Sequence, residues 1–176
     1  MKNWWNSLEP QWKAAFIKTN LLDTTEPSDE HLAQWYHTPV LRFAGPTAPY
    51  PNMDFELTNL SGIADLVDLE ILVVTHQHLE TIEELQNKSK LKSLFLFNNY
   101  IKSLKGIESL TQLEQLYVQN NQLESTKEID QLTNLKELYI HDNLISSLAG
   151  ITENHADHLA MFYCTPNKNL KQNSGY

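Results

Sequence analysis

The chain has 176 residues and 27 leucines, about twice the leucine content of an ordinary globular domain, and its length allows one domain with a small appendage. With 13 lysines and arginines against 22 acidic residues, the net charge is −9, which disfavours nucleic acid or an anionic membrane as partner because both attract basic surfaces. The single cysteine excludes an internal disulfide, and no apolar run reaches the length of a signal peptide or membrane span, so we expect a soluble, cytoplasmic protein.

Leucine, tryptophan and proline are unevenly distributed along the chain. Residues 1–56 hold all four tryptophans, six of the seven prolines and 5 leucines, whereas residues 57–176 hold 22 leucines. We therefore predict two domains with these boundaries: an N-terminal cap and a leucine-rich region. The tryptophans are expected to pack inside the cap. The alternative is that Trp4 and Trp5, which precede the first helix cap, form an aromatic docking surface.

The N-terminal domain is expected to be mainly helical. Ser7 can cap a helix with Pro10 in its first turn, and Ser28 can cap a second, short helix. Residues 40–43 are typical of a first strand, and the proline-rich residues 44–54 of a long loop.

The leucine-rich region contains an internal repeat with a period of 22 residues. Leu69, Leu91, Leu113 and Leu135 each open the pattern L-x-x-L-x-L-x-x-N-x-I-x-x-L-x-x-I-x-x-L, and the unit at 91–112 fits it at every position. The fifth unit contains two extra residues. The predicted units lie near 57–68, 69–90, 91–112, 113–134, 135–158 and 159–176.

Each unit is expected to contain a short strand, a turn and a return. The L-x-L core alternates with period two, which indicates a strand with one buried face. The later apolar residues recur at every third position, which favours a 3₁₀-like or irregular return. Since a unit can bury its apolar residues only against its neighbours, the units must stack into a solenoid with a parallel sheet.

One asparagine after each strand can pair with inward-facing backbone groups. These asparagines are Asn99, Asn121, Asn143 and Asn167. Gln77 and Lys88 break the pattern.

These residues resemble the leucine-rich repeat family in its 22-residue subclass, which includes bacterial internalin-type and phosphatase-regulatory proteins. The resemblance covers about residues 57–170, and residues 4–35 are similar to the helical lead-in of small bacterial members. It implies an α/β repeat solenoid: a right-handed horseshoe segment with short parallel strands on the concave face, 3₁₀ or irregular returns on the convex face, and a small helical N-terminal cap. It also implies non-catalytic recognition of a protein, without naming the ligand.

The phase of the repeat predicts which strand residues point away from the core. One outward position per repeat gives the column Val73, Phe95, Tyr117, Tyr139 and Tyr163, whose last four members form an aromatic stripe. An isolated monomer rarely exposes such a patch, and tyrosine is frequent in binding hot spots. We therefore predict a protein or peptide partner on this face. The predicted binding residues are Phe95, Phe97, Tyr117, Gln119, Tyr139, His141 and Tyr163. Because Glu114, Glu137 and Asp142 lie nearby, a modestly basic partner is favoured.

Two alternatives to partner binding on this face stay open. Aromatic residues could serve only to pack against their cross-strand neighbours. The strand edge near Phe162 could instead pair with a second chain, which would make the protein self-assembling or a weak homo-oligomer.

A metal-dependent enzyme is the remaining alternative. His76 and His78 lie three repeats from Asp142, too far for one metal ion, and the group His155, Asp157, His158 is expected to form a solvated loop. The sequence contains no phosphate-binding glycine loop, activated-serine motif or paired cysteines. We therefore expect no enzyme activity, no cofactor and no metal.

Overall fold

The computed structural model describes residues 1–168 and residue 170. Every helix in this part of the chain is too short or too polar to cross a membrane. The helices are α1 (Lys2–Ser7), α2 (Pro10–Thr19), α3 (Asp29–Tyr36) and α4 (Glu153–His158), and the strands are β1 (Val40–Ala44), β2 (Ile71–Thr75), β3 (Ser93–Phe95), β4 (Gln115–Tyr117), β5 (Glu137–Tyr139) and β6 (Met161–Tyr163). Short 3₁₀ helices occur in the returns at Ser61–Ile63, Glu83–Leu85 and Lys127–Ile129.

The six strands form one open parallel sheet in chain order. From β2 to β5 the paired residues are 22 positions apart, as in Leu94 opposite Leu116 and Leu116 opposite Leu138. Between β5 and β6 the offset is 24, with Leu138 opposite Phe162, and α4 lies in this longer connection. The sheet with its short returns is an α/β repeat solenoid.

Side-chain alternation gives strands β3 to β5 one buried and one open face. In β3, Leu94 is fully buried while Ser93 and Phe95 stay partly exposed, and β4 and β5 repeat this arrangement. The buried leucines of successive repeats join one continuous core. Burial of each such side chain contributes about 1.5–3 kcal/mol, so stacking between repeats is the main source of stability.

A ladder of asparagine side chains links the turns that follow the strands. In Asn121, Oδ1 accepts the backbone N–H of Ile101 at 2.9 Å, and Nδ2 donates to the carbonyls of Leu96 at 3.0 Å and Val118 at 3.1 Å. Equivalent bonds are made by Asn99, Asn143 and Asn167.

Gln77 performs the same task in the first complete repeat, where the pattern lacks its asparagine. Its Oε1 accepts the N–H of Leu57 at 2.6 Å, and its Nε2 donates to the carbonyl of Phe43 at 3.3 Å. The longer glutamine side chain therefore joins β1 and the segment at Leu57 to the ladder.

Lys88 lies at a position where the equivalent residue of the next repeat, Leu110, is fully buried. It is only 2% exposed, and its Nζ donates a hydrogen bond to the carbonyl of Ala64. Burial lowers the pKa of the Lys88 ammonium, while the carboxylate of Asp65 acts in the opposite direction.

The N-terminal cap closes the first end of the solenoid with packed aromatic rings. Trp12 is fully buried, with its ring centroid 5.2 Å from Phe43 and 6.0 Å from Phe16. Its Nε1 donates to Oδ1 of Asn59 at 3.1 Å. A Cβ atom at Gly62 would lie 2.0 Å from the Trp12 ring, so this close approach of cap and first return requires glycine.

The predicted packing of the tryptophans is confirmed, and the docking surface at Trp4 and Trp5 is wrong. These side chains are only 5% and 6% exposed. Trp4 packs edge-on against Phe16 and Trp5 packs on Trp35, because α1 folds back onto α2 and α3.

One predicted helix cap is confirmed and the other is wrong. Oγ of Ser28 accepts the N–H of His31 at 3.2 Å at the start of α3. Ser7 instead ends the additional helix α1, where its hydroxyl donates to the carbonyl of Trp4 at 2.7 Å, and Glu9 precedes α2.

The expected solvated loop at residues 155–158 is wrong for its first histidine. His155 is fully buried in α4, where Nδ1 accepts the N–H of Thr152 at 3.1 Å in a capping box. Since Nδ1 is an acceptor, Nε2 carries the proton and donates to the carbonyl of Ile129 at 3.1 Å. Asp157 and His158 are exposed.

Candidate partner-binding face

The open face of the sheet carries one row of side chains that crosses all six strands. The strand register aligns Arg42, Val73, Phe95, Tyr117, Tyr139 and Tyr163. The row begins with a cation, continues through an aliphatic residue and ends in the aromatic stripe.

The rings of the aromatic stripe stack on one another. Their centroids are 4.8 Å apart for Phe95 and Tyr117, 4.2 Å for Tyr117 and Tyr139, and 4.7 Å for Tyr139 and Tyr163. These distances match the strand spacing of about 4.8 Å, so the rings stabilise the sheet as cross-strand pairs. Because Tyr117 and Tyr139 are covered on both faces, they present ring edges and hydroxyl groups to solvent.

Glu137 lies beside the aromatic stripe on β5. The hydroxyl of Tyr117 donates a hydrogen bond to its Oε2. Burial is the main factor that raises the pKa of the Tyr117 hydroxyl, and the hydrogen bond to Glu137 raises it further. The hydroxyl is therefore a protonated donor at physiological pH. Among the described residues, Glu137 forms no ion pair.

The other three predicted binding residues lie one column further along the strands, toward the turns. Phe97 packs edge-on against His76 at 5.6 Å, and His141 lies 6.3 Å from Tyr139 and 6.5 Å from Tyr163, measured between ring centroids. Oε1 of Gln119 is buried without a hydrogen-bond partner among the described residues. The structure thus places all seven predicted residues on one face; their binding of a partner stays a prediction.

The turns at the carboxyl ends of the strands form a polar edge to this face. His76, Asn98, Asn120 and Asp142 all have positive φ angles of 52–57°, a conformation that asparagine and aspartate tolerate best among non-glycine residues. Nδ2 of Asn98 lies 2.7 Å from Nε2 of His76, and burial lowers the pKa of His76. An open groove of about 540 Å³ runs along this edge.

Charged residues at the amino ends of the strands are paired between repeats. Lys92 contacts Glu70 at 2.8 Å, and Lys136 contacts Glu114 at 2.8 Å. This rim is therefore less acidic than the sequence suggested, because a lysine of the following repeat neutralises Glu114.

Arg42 is the residue of this face that sequence reasoning missed. The 22-residue period extends this column only to Val73, because β1 pairs with β2 at an offset of 31 residues. The available signal was alternation in β1, where Leu41 and Phe43 face the core and Arg42 must face the other side.

Comparison with known proteins agrees with the architecture. A family model described as Leucine Rich repeats (2 copies) matches residues 89–130 and 113–153. Residues 89–153 therefore carry leucine-rich repeats. No curated protein matches the sequence. Proteins with leucine-rich repeats generally mediate protein–protein interaction and are typically non-enzymatic. Within residues 1–168 and 170, no three His, Cys, Asp or Glu side chains are grouped as metal ligands would be.

Several solved leucine-rich repeat structures have a similar fold. An internalin from Listeria monocytogenes has a TM-score of 0.61 and 21% sequence identity over 66% of this chain and 34% of its own. A leucine-rich repeat protein of Leptospira interrogans has a TM-score of 0.57 and 28% identity over 64% and 29%. The leucine-rich repeat ectodomain of an Arabidopsis thaliana receptor kinase has a TM-score of 0.60 and 21% identity over 74% and 71%. This chain spans about a third of the first two proteins.

Proposed function

We propose that this protein is a non-catalytic module that binds a protein or peptide partner on the open face of its sheet. The observation that carries the proposal is the aromatic stripe, four large rings in register on a surface that faces solvent. Stacked tyrosines combine apolar contact area with polar hydroxyl groups, as hot spots of interfaces do. The general role of leucine-rich repeats in protein–protein interaction supports it.

The proposal includes a bacterial origin and a cytoplasmic location. Both are supported by sequence features: the similarity of the N-terminal stretch to small bacterial family members, and a single cysteine that leaves no internal disulfide.

The test compares capture of partners by the wild type and by a Tyr117→Ala/Tyr139→Ala variant, followed by affinity measurement on the purified partner. Two hot-spot tyrosines contribute about 1 kcal/mol or more each, so we expect affinity to fall about thirtyfold. The control is Leu21→Ala/Tyr100→Ala, which removes two exposed side chains away from the stripe and should bind as the wild type does. Equal binding by the folded stripe variant would contradict the proposal.

A self-assembling protein is the second candidate function. It is favoured by β6, where Phe162 is 38% exposed although Leu138, its counterpart in β5, is fully buried. An edge strand with exposed apolar side chains can pair with another chain.

A further inference from the structure

Arg42 is the only arginine of the chain and marks one end of the open face. It is exposed, stands in register with Val73, and forms no ion pair with any described residue. By contrast, Lys92 and Lys136 at the rim of the sheet are both paired with glutamates. Arg42 is therefore a free cation on a face of an otherwise acidic protein.

Arg42 is tied to the neighbouring loop by one hydrogen bond from its guanidinium and, at its backbone, by Asn52. Nη2 donates to the carbonyl of Tyr50, and the side chain of Asn52 accepts the N–H of Ala44 at 2.7 Å and donates to the carbonyl of Arg42 at 2.8 Å. Prolines on both sides of Tyr50 restrict the loop backbone. A preorganised guanidinium loses little entropy on binding, and its remaining N–H groups can hold a carboxylate in a bidentate manner.

The opposite end of the open face carries negative charge. One carboxylate oxygen of Glu137 accepts a hydrogen bond from Tyr117. Glu137 has no cationic partner among the described residues. Asp142 is 44% exposed, and Nε2 of His141 lies 3.7 Å from its carboxylate. Four strand spacings separate β1 from β5, which corresponds to about 19 Å between the two ends.

The groups between these ends favour an extended ligand. The face offers the hydroxyls of the stacked tyrosines as hydrogen-bonding groups. An extended segment brings backbone N–H and C=O groups that need partners, whereas a helix has already paired its own.

We propose that the partner segment is an extended peptide of mixed charge, which places a carboxylate on Arg42 and a basic side chain on Glu137. At about 3.3 Å per residue, the two charges are about six residues apart, with aliphatic or aromatic residues between them over the stripe. A uniformly acidic or basic segment would meet a like charge at one end. This inference rests on the proposed function and specifies the chemistry of its partner.

The experiment selects a displayed library of random dodecapeptides on the wild-type protein. Enriched peptides are then synthesised, and their affinities are measured on the wild type, Arg42→Gln, Glu137→Gln and the Tyr117→Ala/Tyr139→Ala variant. Glutamine at 137 can still accept from Tyr117, and glutamine at 42 keeps a polar side chain at an exposed position, so both variants should fold. Lys127→Gln, which removes an exposed lysine outside this face, is the control for net charge.

We expect the enriched peptides to carry an acidic and a basic residue about six positions apart. Replacing the acidic residue by its amide should weaken binding to the wild type at least tenfold and leave binding to Arg42→Gln unchanged. The basic residue should show the same coupling to Glu137→Gln. Selection on Arg42→Glu should replace the acidic residue by a basic one.

The two proposals fail in different ways. Peptides that need Tyr117 and Tyr139 but bind Arg42→Gln as tightly as the wild type would overturn the mixed-charge ligand and leave the proposed function standing. If no enriched peptide depends on Tyr117 and Tyr139, both proposals are overturned.

Discussion

Lys88 places a charge at a position that the neighbouring repeats fill with Leu66, Leu110 and Leu132. Its Nζ has one carbonyl partner, so most of its hydration is lost without an opposite charge in contact. We expect Lys88→Leu to raise the free energy of unfolding by about 1–3 kcal/mol, measured by urea denaturation. Lys127→Leu, at an exposed lysine, should stay within about 0.5 kcal/mol of the wild type. An equal effect of both substitutions would mean that burial of Lys88 costs nothing.

The stability gained by Lys88→Leu depends on pH. Because the pKa of Lys88 is lowered on folding, the unfolded chain binds more protons between the folded-state pKa and the ordinary value of 10.5. The cost of Lys88 is fully present below that window and is relieved as pH rises through it. The stability difference between Lys88→Leu and the wild type should therefore shrink toward pH 10.5.

Helix α4 shows how one element absorbs the two extra residues of the fifth repeat. His155 fills the space beside the return and pairs with the N–H of Thr152 and the carbonyl of Ile129. We expect His155→Ala to lower the free energy of unfolding by about 2–4 kcal/mol, since it leaves a cavity and two unpaired backbone groups. His158→Ala in the same helix should change it by less than about 0.5 kcal/mol, because His158 is exposed. A small loss for His155→Ala in urea denaturation would contradict its structural role.

At the scale of the whole molecule, the two ends of the solenoid differ. The aromatic cap covers the first end, whereas Met161, Phe162 and Tyr163 in β6 are 41%, 38% and 48% exposed. These three side chains offer about 250 Å² for contact, against about 800 Å² per partner in a stable interface. We therefore expect a monomer of 20.3 kDa in light scattering at micromolar concentrations. A mass that rises with concentration, and returns to that of the monomer in Phe162→Asp, would favour the self-assembling alternative.

The repeat architecture could be predicted because every layer repeats the same local requirements. Leucine spacing predicts the strands and returns, and asparagine spacing predicts the ladder. The aromatic stripe followed from the same phase. Prediction fails where the pattern stops. Ser7 reads as a helix start because α1 has no apolar period, and His155 reads as part of a loop because a helix of six residues leaves no clear periodic signal.

Spacing along the chain is sufficient to predict the leucine-rich repeats, the register of β2 to β5 and the residues that project from these strands. The other features depend on contacts between segments. The burial of Trp4 and Trp5 depends on how three helices fold together, and the neutralisation of Glu114 by Lys136 on contact between repeats. Arg42 is aligned with the aromatic stripe by the pairing of β1 with β2, whose offset of 31 residues does not follow from the 22-residue repeat. Periodic spacing specifies stacked layers, but contacts between non-repeating segments are fixed only when the chain packs in three dimensions.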